Sequence, residues 1–204
     1  SGNIVTSDVV LRREFRQMEG GWLSSESVEL SKNRLNRLGF FSTVDITTER
    51  VSDDLVDLNV FVEEQESGSF NAGVGFGSES GLSLSGGLNQ DNYLGTGDKV
   101  GFEVKLNDFN RSANVNYTTP YLTKDGVSGG ARIFYDMFEA GEANLVDYTN
   151  TTYGVRLNMG FPVNELNRLG FSIGWENTGL SQLKAYEHIV NFWDVYRSQL
   201  ENDE

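Results

Sequence analysis

Residues 69–77 read SFNAGVGFG. Phe70, Ala72, Val74 and Phe76 fall on alternate positions, the period of a β-strand, while the face between them carries only Asn71, Gly73, Gly75 and Gly77. Glycine weakens a strand interior because it costs backbone entropy and offers nothing to pack. A strand built this way has one apolar face and one nearly bare face. Little bulk remains to lock its register against a neighbour.

Outward from this stretch, the same alternation recurs through the C-terminal two thirds of the chain. After Phe70 to Phe76 come Leu82, Leu84 and Leu88; Val100, Phe102, Val104 and Leu106; and Ala113, Val115 and Tyr117. Then follow Val127, Ala131, Ile133 and Tyr135; Tyr153 to Phe161 at every second residue; and Leu169, Phe171, Ile173 and Trp175. The opposite faces carry Ser83, Ser85, Glu103, Lys105, Asn114, Asn116, Arg132, Asp136, Arg156 and Ser172, with glycines between. These positions predict seven strands and no helix until about Leu183.

Such alternation suits a β-sandwich with one wet face or a membrane β-barrel with its apolar face in lipid. Three features favour the barrel. The strands run to roughly 9–11 residues, enough to cross a bilayer when tilted. Tyr93, Tyr121 and Phe161 fall toward one end of the strands and Tyr135, Tyr148, Tyr153 and Trp175 toward the other, as interfacial girdles do. The connections also alternate in character, SESG, NDFNR, FEAGEANLVDYTN and a tail from Asn177 on one side, DNYLGTGD, YLTKDG and PVNELNR on the other.

Residues 1–66 read differently, as a small α+β module. Thr6 or Ser7 can cap a helix through DVVLRREFRQM, residues 8–18, ended by Gly20 and Gly21. A second helix starts at Ser24 or Ser25 and carries Val28, Leu35 and Leu38 near helical spacing, with Gly39 placed for a left-handed C-terminal cap. Two strands follow, Val44, Ile46 and Thr48 alternating in the first and Val56, Leu58, Val60 and Val62 in the second. Two strands under two helices make a thin sheet, so a further strand is expected just before Ser1. The expected division is therefore 1–66 for this module and 67–204 for the barrel strands.

Composition removes several function classes. Sixteen Lys plus Arg against thirty Asp plus Glu leave a net charge of −14, which argues against a nucleic-acid partner. There is no Cys and one His, so thiolate metal sites and Cys-His nucleophile systems are absent, and most zinc sites and a Ser-His nucleophile are not expected. No window approaches the roughly 20 apolar residues of a spanning helix, and SGNIVTSDV has no signal-like pattern. GVGFG and GTGDKVG are not followed by helices that could hold an anion, so nucleotide binding is not expected. Glu103 with Lys105 reads as a wall pair, not a catalytic dyad. Residues 183–200, LKAYEHIVNFWDVYRSQL, read as an amphipathic helix over the barrel mouth, and His188 falls off its apolar stripe as a surface residue. No catalytic residue, metal ligand or cofactor site emerges, and the chain is not expected to be an enzyme.

Six motifs, in order, carry a resemblance: RREFRQMEGGWL, NRLNRLGFF, GSFNAGVGFGSESG, QDNYLGTG, TTPYLTKDG and GFPVNELNRLG. Together they resemble the BamA family of outer-membrane protein assembly factors of Gram-negative bacteria, over nearly the whole chain. The resemblance implies a membrane-proximal POTRA domain in the periplasm, lacking its first strand, joined to an incomplete outer-membrane β-barrel. It lacks earlier POTRA repeats, the later Arg-Gly-Phe barrel loop and the closing strands. Family members fold and insert nascent outer-membrane β-barrel proteins without ATP or cofactor. On that resemblance the edge formed by Phe70, Asn71, Ala72, Gly73, Val74, Gly75, Phe76 and Gly77 would be the seam that pairs with a substrate strand by β-augmentation. Glycines that merely let the strand bend are the plainer reading of the same residues. Arg12, Arg16 and Glu19 would dock a lipoprotein of the assembly machinery, Arg12 and Glu19 lying on one helical face, and outer-membrane lipid would surround the wall. A secretion pore of the same architecture and a soluble β-rich binding domain are the alternatives.

Overall fold

In the computed structural model, residues 1–78, 81–139, 148–165 and 167–181 are described. The helix expected over 183–200, His188 within it, lies outside the described residues. The N-terminal module comprises α1 (Asp8–Arg12), α2 (Ser25–Arg37), β1 (Phe41–Arg50) and β2 (Val56–Glu64). α2 begins where expected because Ser24 is extended and its hydroxyl accepts the Ser27 N–H at 3.3 Å, satisfying a donor that the helix leaves open. It ends where Gly39 takes φ +74°, a conformation that disfavours any residue with a Cβ. β1 and β2 pair antiparallel with Val44 opposite Val62 and Ile46 opposite Val60. Val10, Leu11, Leu35, Phe40, Phe41, Val44 and Val62 form the core of this layer pair. On the outer edge of β2, the Ser1 amine donates to the Val60 carbonyl at 2.6 Å and the Val62 N–H donates to the Ser1 carbonyl at 3.0 Å.

The first helix is shorter than the sequence suggests, stopping at Arg12 instead of reaching Met18, which is 78 % exposed. The reason is competition for the backbone. Glu14 and Phe15 N–H bond three residues back, to Leu11 and Arg12, tightening the last turn, and the Arg16 N–H donates to Ser31 Oγ on α2 instead of to a carbonyl four back. Ser31 is free to accept because its own hydroxyl proton goes to the Ser27 carbonyl at 2.6 Å. Packing of Phe15 against the core holds this departure in place.

Seven strands follow: β3 (Gly68–Gly77), β4 (Gly81–Tyr93), β5 (Asp98–Leu106), β6 (Asn110–Thr119), β7 (Ser128–Glu139), β8 (Thr149–Pro162) and β9 (Arg168–Ser181). They form one antiparallel meander in chain order, and among the described residues β3 and β9 are its two edges. Several strands exceed the expected length, β8 and β9 reaching 14 residues, and β9 continues past Asn177. The ladder persists there on polar pairs such as Thr152 opposite Thr178, whose hydroxyls lie 3.2 Å apart. Hydrogen bonding between strands does not stop where apolar alternation stops.

The expected outward row is on one face and is exposed or half-exposed, from Phe70 at 75 % to Trp175 at 60 %, with no second layer over it among the described residues. A sandwich would bury that row. Its exposure over seven strands far exceeds what a water-bathed sheet sustains.

Candidate functional site

The β3 edge is built from the small side chains that opened the sequence reading. Phe70, Val74 and Phe76 pair with Leu88, Leu84 and Leu82 on the apolar face. On the other face a Cβ at Gly73 would lie 2.7 Å from Ser85 Oγ, and one at Gly75 would lie 2.7 Å from Ser83 Oγ. The Asn71 amide covers Gly87, where a Cβ would come within 2.3 Å of its Oδ1. Further along, the Asn89 and Asn116 amides close over Gly101. Near the edge, then, the inner wall is a thin polar lining in which glycines give room to serine and asparagine heads. Bulk returns further in, where Lys105 Nζ meets Glu103 Oε1 at 2.7 Å and Asn114 Nδ2 donates to Glu103 Oε2 at 3.0 Å. Those partners leave the carboxylate occupied. No group of three or more potential metal-ligating side chains occurs among the described residues.

Beneath the strands, the structure separates the three residues expected to act as one docking patch. Arg12 bonds Asp8 and Glu19, each at 2.6 Å, in an exposed cluster. A bend in the chain, not a continuous helix, brings Arg12 and Glu19 together. Arg16 points elsewhere, its Nε 2.8 Å from Glu165 Oε1 in the turn between β8 and β9. Arg34 of α2 reaches the same carboxylate at 2.5 Å and also holds Glu14 Oε2 at 2.8 Å and the Tyr121 hydroxyl at 3.1 Å. Arg13 lies over the Tyr121 ring, 4.4 Å from its centroid, and donates to the Thr96 carbonyl at 3.3 Å. Three arginines thus clasp three turns of the barrel wall.

Electrostatics follow this geometry. The hydrogen bond from Arg16 holds the Glu165 carboxyl below the usual carboxylate range; burial opposes this and the Arg34 charge reinforces it. At Glu64 burial acts upward, yet donors from Thr6, Val5 and Ile4 bring the carboxyl below its ordinary value. Sequence reasoning missed Glu165 and Arg34, and it read Tyr121 only as a girdle aromatic, whereas its hydroxyl meets Arg34 and its ring lies under Arg13. The Glu165 partners lie 131 and 149 positions away, so no local pattern signals them.

A small α+β module clasped to an antiparallel wall that is apolar outside and polar inside defines an integral β-barrel membrane protein with an appended water-side domain. Residues 92–202 match the Omp85 superfamily domain, and residues 1–65 match the POTRA family, described as a surface antigen variable number repeat. The chain belongs to the Omp85 superfamily. It is 33 % identical over 190 residues to the outer membrane protein assembly factor BamA of Buchnera aphidicola, a match covering 92 % of this chain and 31 % of that protein. Against the BamA of Neisseria meningitidis it is 33 % identical over 201 residues, covering 96 % of this chain and 25 % of that protein. The crystal structure of BamA from Haemophilus ducreyi lacking POTRA domains 1-3 superposes with a TM-score of 0.75 at 42 % identity, over 91 % of this chain and 35 % of that one. The chain spans about a third or less of the curated relatives it matches. The fold is a POTRA domain followed by antiparallel barrel strands, and the protein resides in the bacterial outer membrane with its N-terminal module in the periplasm.

Proposed function

We propose that the chain is the membrane-proximal part of an outer-membrane protein assembly factor, with residues 1–66 as its periplasmic domain and 67–204 as the first part of its barrel. Its substrates are nascent outer-membrane β-barrel proteins, which it folds and inserts through a lateral seam at β3. The single observation that carries this reading is β3 itself, an edge strand among the described residues, whose inner face is Asn71, Gly73, Gly75 and Gly77. An unpaired backbone group in hydrocarbon costs several kcal/mol. An incoming strand that pairs with residues 70–77 satisfies its N–H and C=O groups as it enters, and a bare inner face keeps the register of that edge adaptable. The chain contains no cysteine, so cysteines introduced singly across 70–77 can be scanned against a substrate strand stalled during insertion. For any one substrate strand a dominant crosslinked register is expected, and it should differ between substrates. Uniform absence of crosslinks refutes the seam.

The exposed pair of Arg12 and Glu19 supports docking of an assembly-machinery lipoprotein on the periplasmic domain. Charge complementarity at such a rim sets partner choice and association rate. Glu19→Lys is expected to lower co-purification of that lipoprotein several-fold; recovery equal to wild type at raised salt removes the patch. Arg16 contributes to the same function through its hold on Glu165, which orients the domain.

A further inference from the structure

A second surface lies where the N-terminal segment meets the base of the wall. In the turn between β4 and β5, Leu94 has φ 51°, a left-handed backbone that glycine or asparagine adopts more readily. The turn therefore holds a leucine at some cost, and that side chain is 78 % exposed beside Tyr93. Against this turn runs the segment before α1. The Ser7 N–H donates to the Gly95 carbonyl at 2.8 Å, Thr6 Oγ1 accepts from the buried Asn92 amide at 2.8 Å, and Gly95 leaves room for the Val5 carbonyl. Ile4 is 92 % and Val5 65 % exposed.

The direction of this segment follows from register. Val5 and Thr6 line a cleft with Glu64, Gly68, Gln90 and Asn92. Gly68 pairs with Gln90 two positions before Phe70 pairs with Leu88, so both pairs share the outward face of the wall. The segment thus borders the outward face at the base of the wall, at the level of Tyr93, across a cleft whose remaining walls include the polar Gln65, Glu66 and Ser67. Its backbone is also prepared for a boundary of low polarity. The Glu64 carboxylate accepts the N–H groups of Ile4, Val5 and Thr6 at 3.0, 2.9 and 2.6 Å, leaving those donors satisfied without water.

We infer that Ile4, Val5 and Leu94, with Val9 exposed nearby on α1, form an apolar foot seated in the headgroup and acyl boundary of the periplasmic leaflet. The occupant is phospholipid. The foot fixes the height and tilt of the periplasmic domain relative to the bilayer, and it rests on the reading of β3–β9 as membrane-spanning.

Spin labels at Ile4→Cys, Val5→Cys and Leu94→Cys in the full-length protein, reconstituted in phosphatidylethanolamine and phosphatidylglycerol vesicles, test the inference. Phe102→Cys in the lipid-facing row and Asp53→Cys in the β1–β2 turn serve as references. Oxygen-to-nickel-chelate collision ratios at 4, 5 and 94 are expected several-fold above Asp53→Cys and below Phe102→Cys. Ratios equal to Asp53→Cys overturn the foot, as does low access to both relaxants, which marks a protein partner. A water-like ratio at Phe102→Cys instead overturns the membrane reading, and the foot with it. Ile4 and Val5, both exposed, keep the test decisive if the Leu94 variant fails to fold.

Discussion

Leu35 has no exposed surface and sits at the centre of the contact between α2 and β1. Leu35→Ala is expected to destabilise the periplasmic domain by about 2–5 kcal/mol, the sum of lost transfer energy and an unfilled cavity. Faster hydrogen exchange of the α2 and β1 amides in the detergent-solubilised protein measures it. Ser24→Ala removes only the cap hydrogen bond and is expected to cost about 0.5–2 kcal/mol, with the exchange increase confined to the first turn of α2. Both residues were legible in the sequence because capping and helical burial depend on neighbours within a turn. Arg16 was not: the same spacing that suggested a helical patch through residue 18 ignored Ser31, which takes the Arg16 N–H and ends the helix.

Among the elements, the glycines of the barrel wall divide by what surrounds them. At Gly73 and Gly75 the obstacle to a side chain is a serine hydroxyl, which can rotate away. Gly73→Val with Gly75→Val is therefore expected to leave the β3–β4 ladder intact while bulk on the inner face fixes its register. Crosslinking to a substrate strand at 70–77 should fall several-fold while the barrel keeps its heat-modifiable migration. Gly154 is a different case, since a Cβ there would lie 2.4 Å from the Trp175 carbonyl and 2.9 Å from the Phe134 ring. Backbone cannot give way as a hydroxyl can, so Gly154→Val is expected to abolish heat-modifiable folding. Period-two alternation placed all three glycines on strands. It could not tell them apart, because what faces each one is supplied by the adjacent strand.

For the whole molecule, the Glu165 clasp sets how the periplasmic domain meets the wall. Spin labels at Asp53→Cys and Ile173→Cys are expected to give a narrow distance distribution that broadens in Glu165→Lys, where like charge faces Arg16 and Arg34. The pH dependence has a definite sign. Because the folded-state pKa of Glu165 is depressed, its contribution is complete above the ordinary carboxylate value and is lost as pH falls through the lower folded one. The distribution should stay narrow from neutral pH through the ordinary carboxylate range and broaden only on further acidification. Glu165→Gln should be broad already at neutral pH. A distribution that is insensitive to both substitutions would show that the turn contacts at Ser7 and Thr6 suffice to hold the domain.

By itself the sequence determined the two-part organisation, the seven barrel strands with their outward row, and the capped second helix. Each of these follows from periodicity and hydrogen bonding over a few residues, and the alternating row has one stable environment when no second layer covers it. Tertiary structure alone decided where the first helix stops, that Arg16 leaves the Arg12 and Glu19 pair for Glu165, and that the segment before α1 packs on the turn between β4 and β5. Those outcomes depend on groups far apart in the chain meeting at one junction. Their energies arise from the geometry of that meeting, which no local pattern encodes.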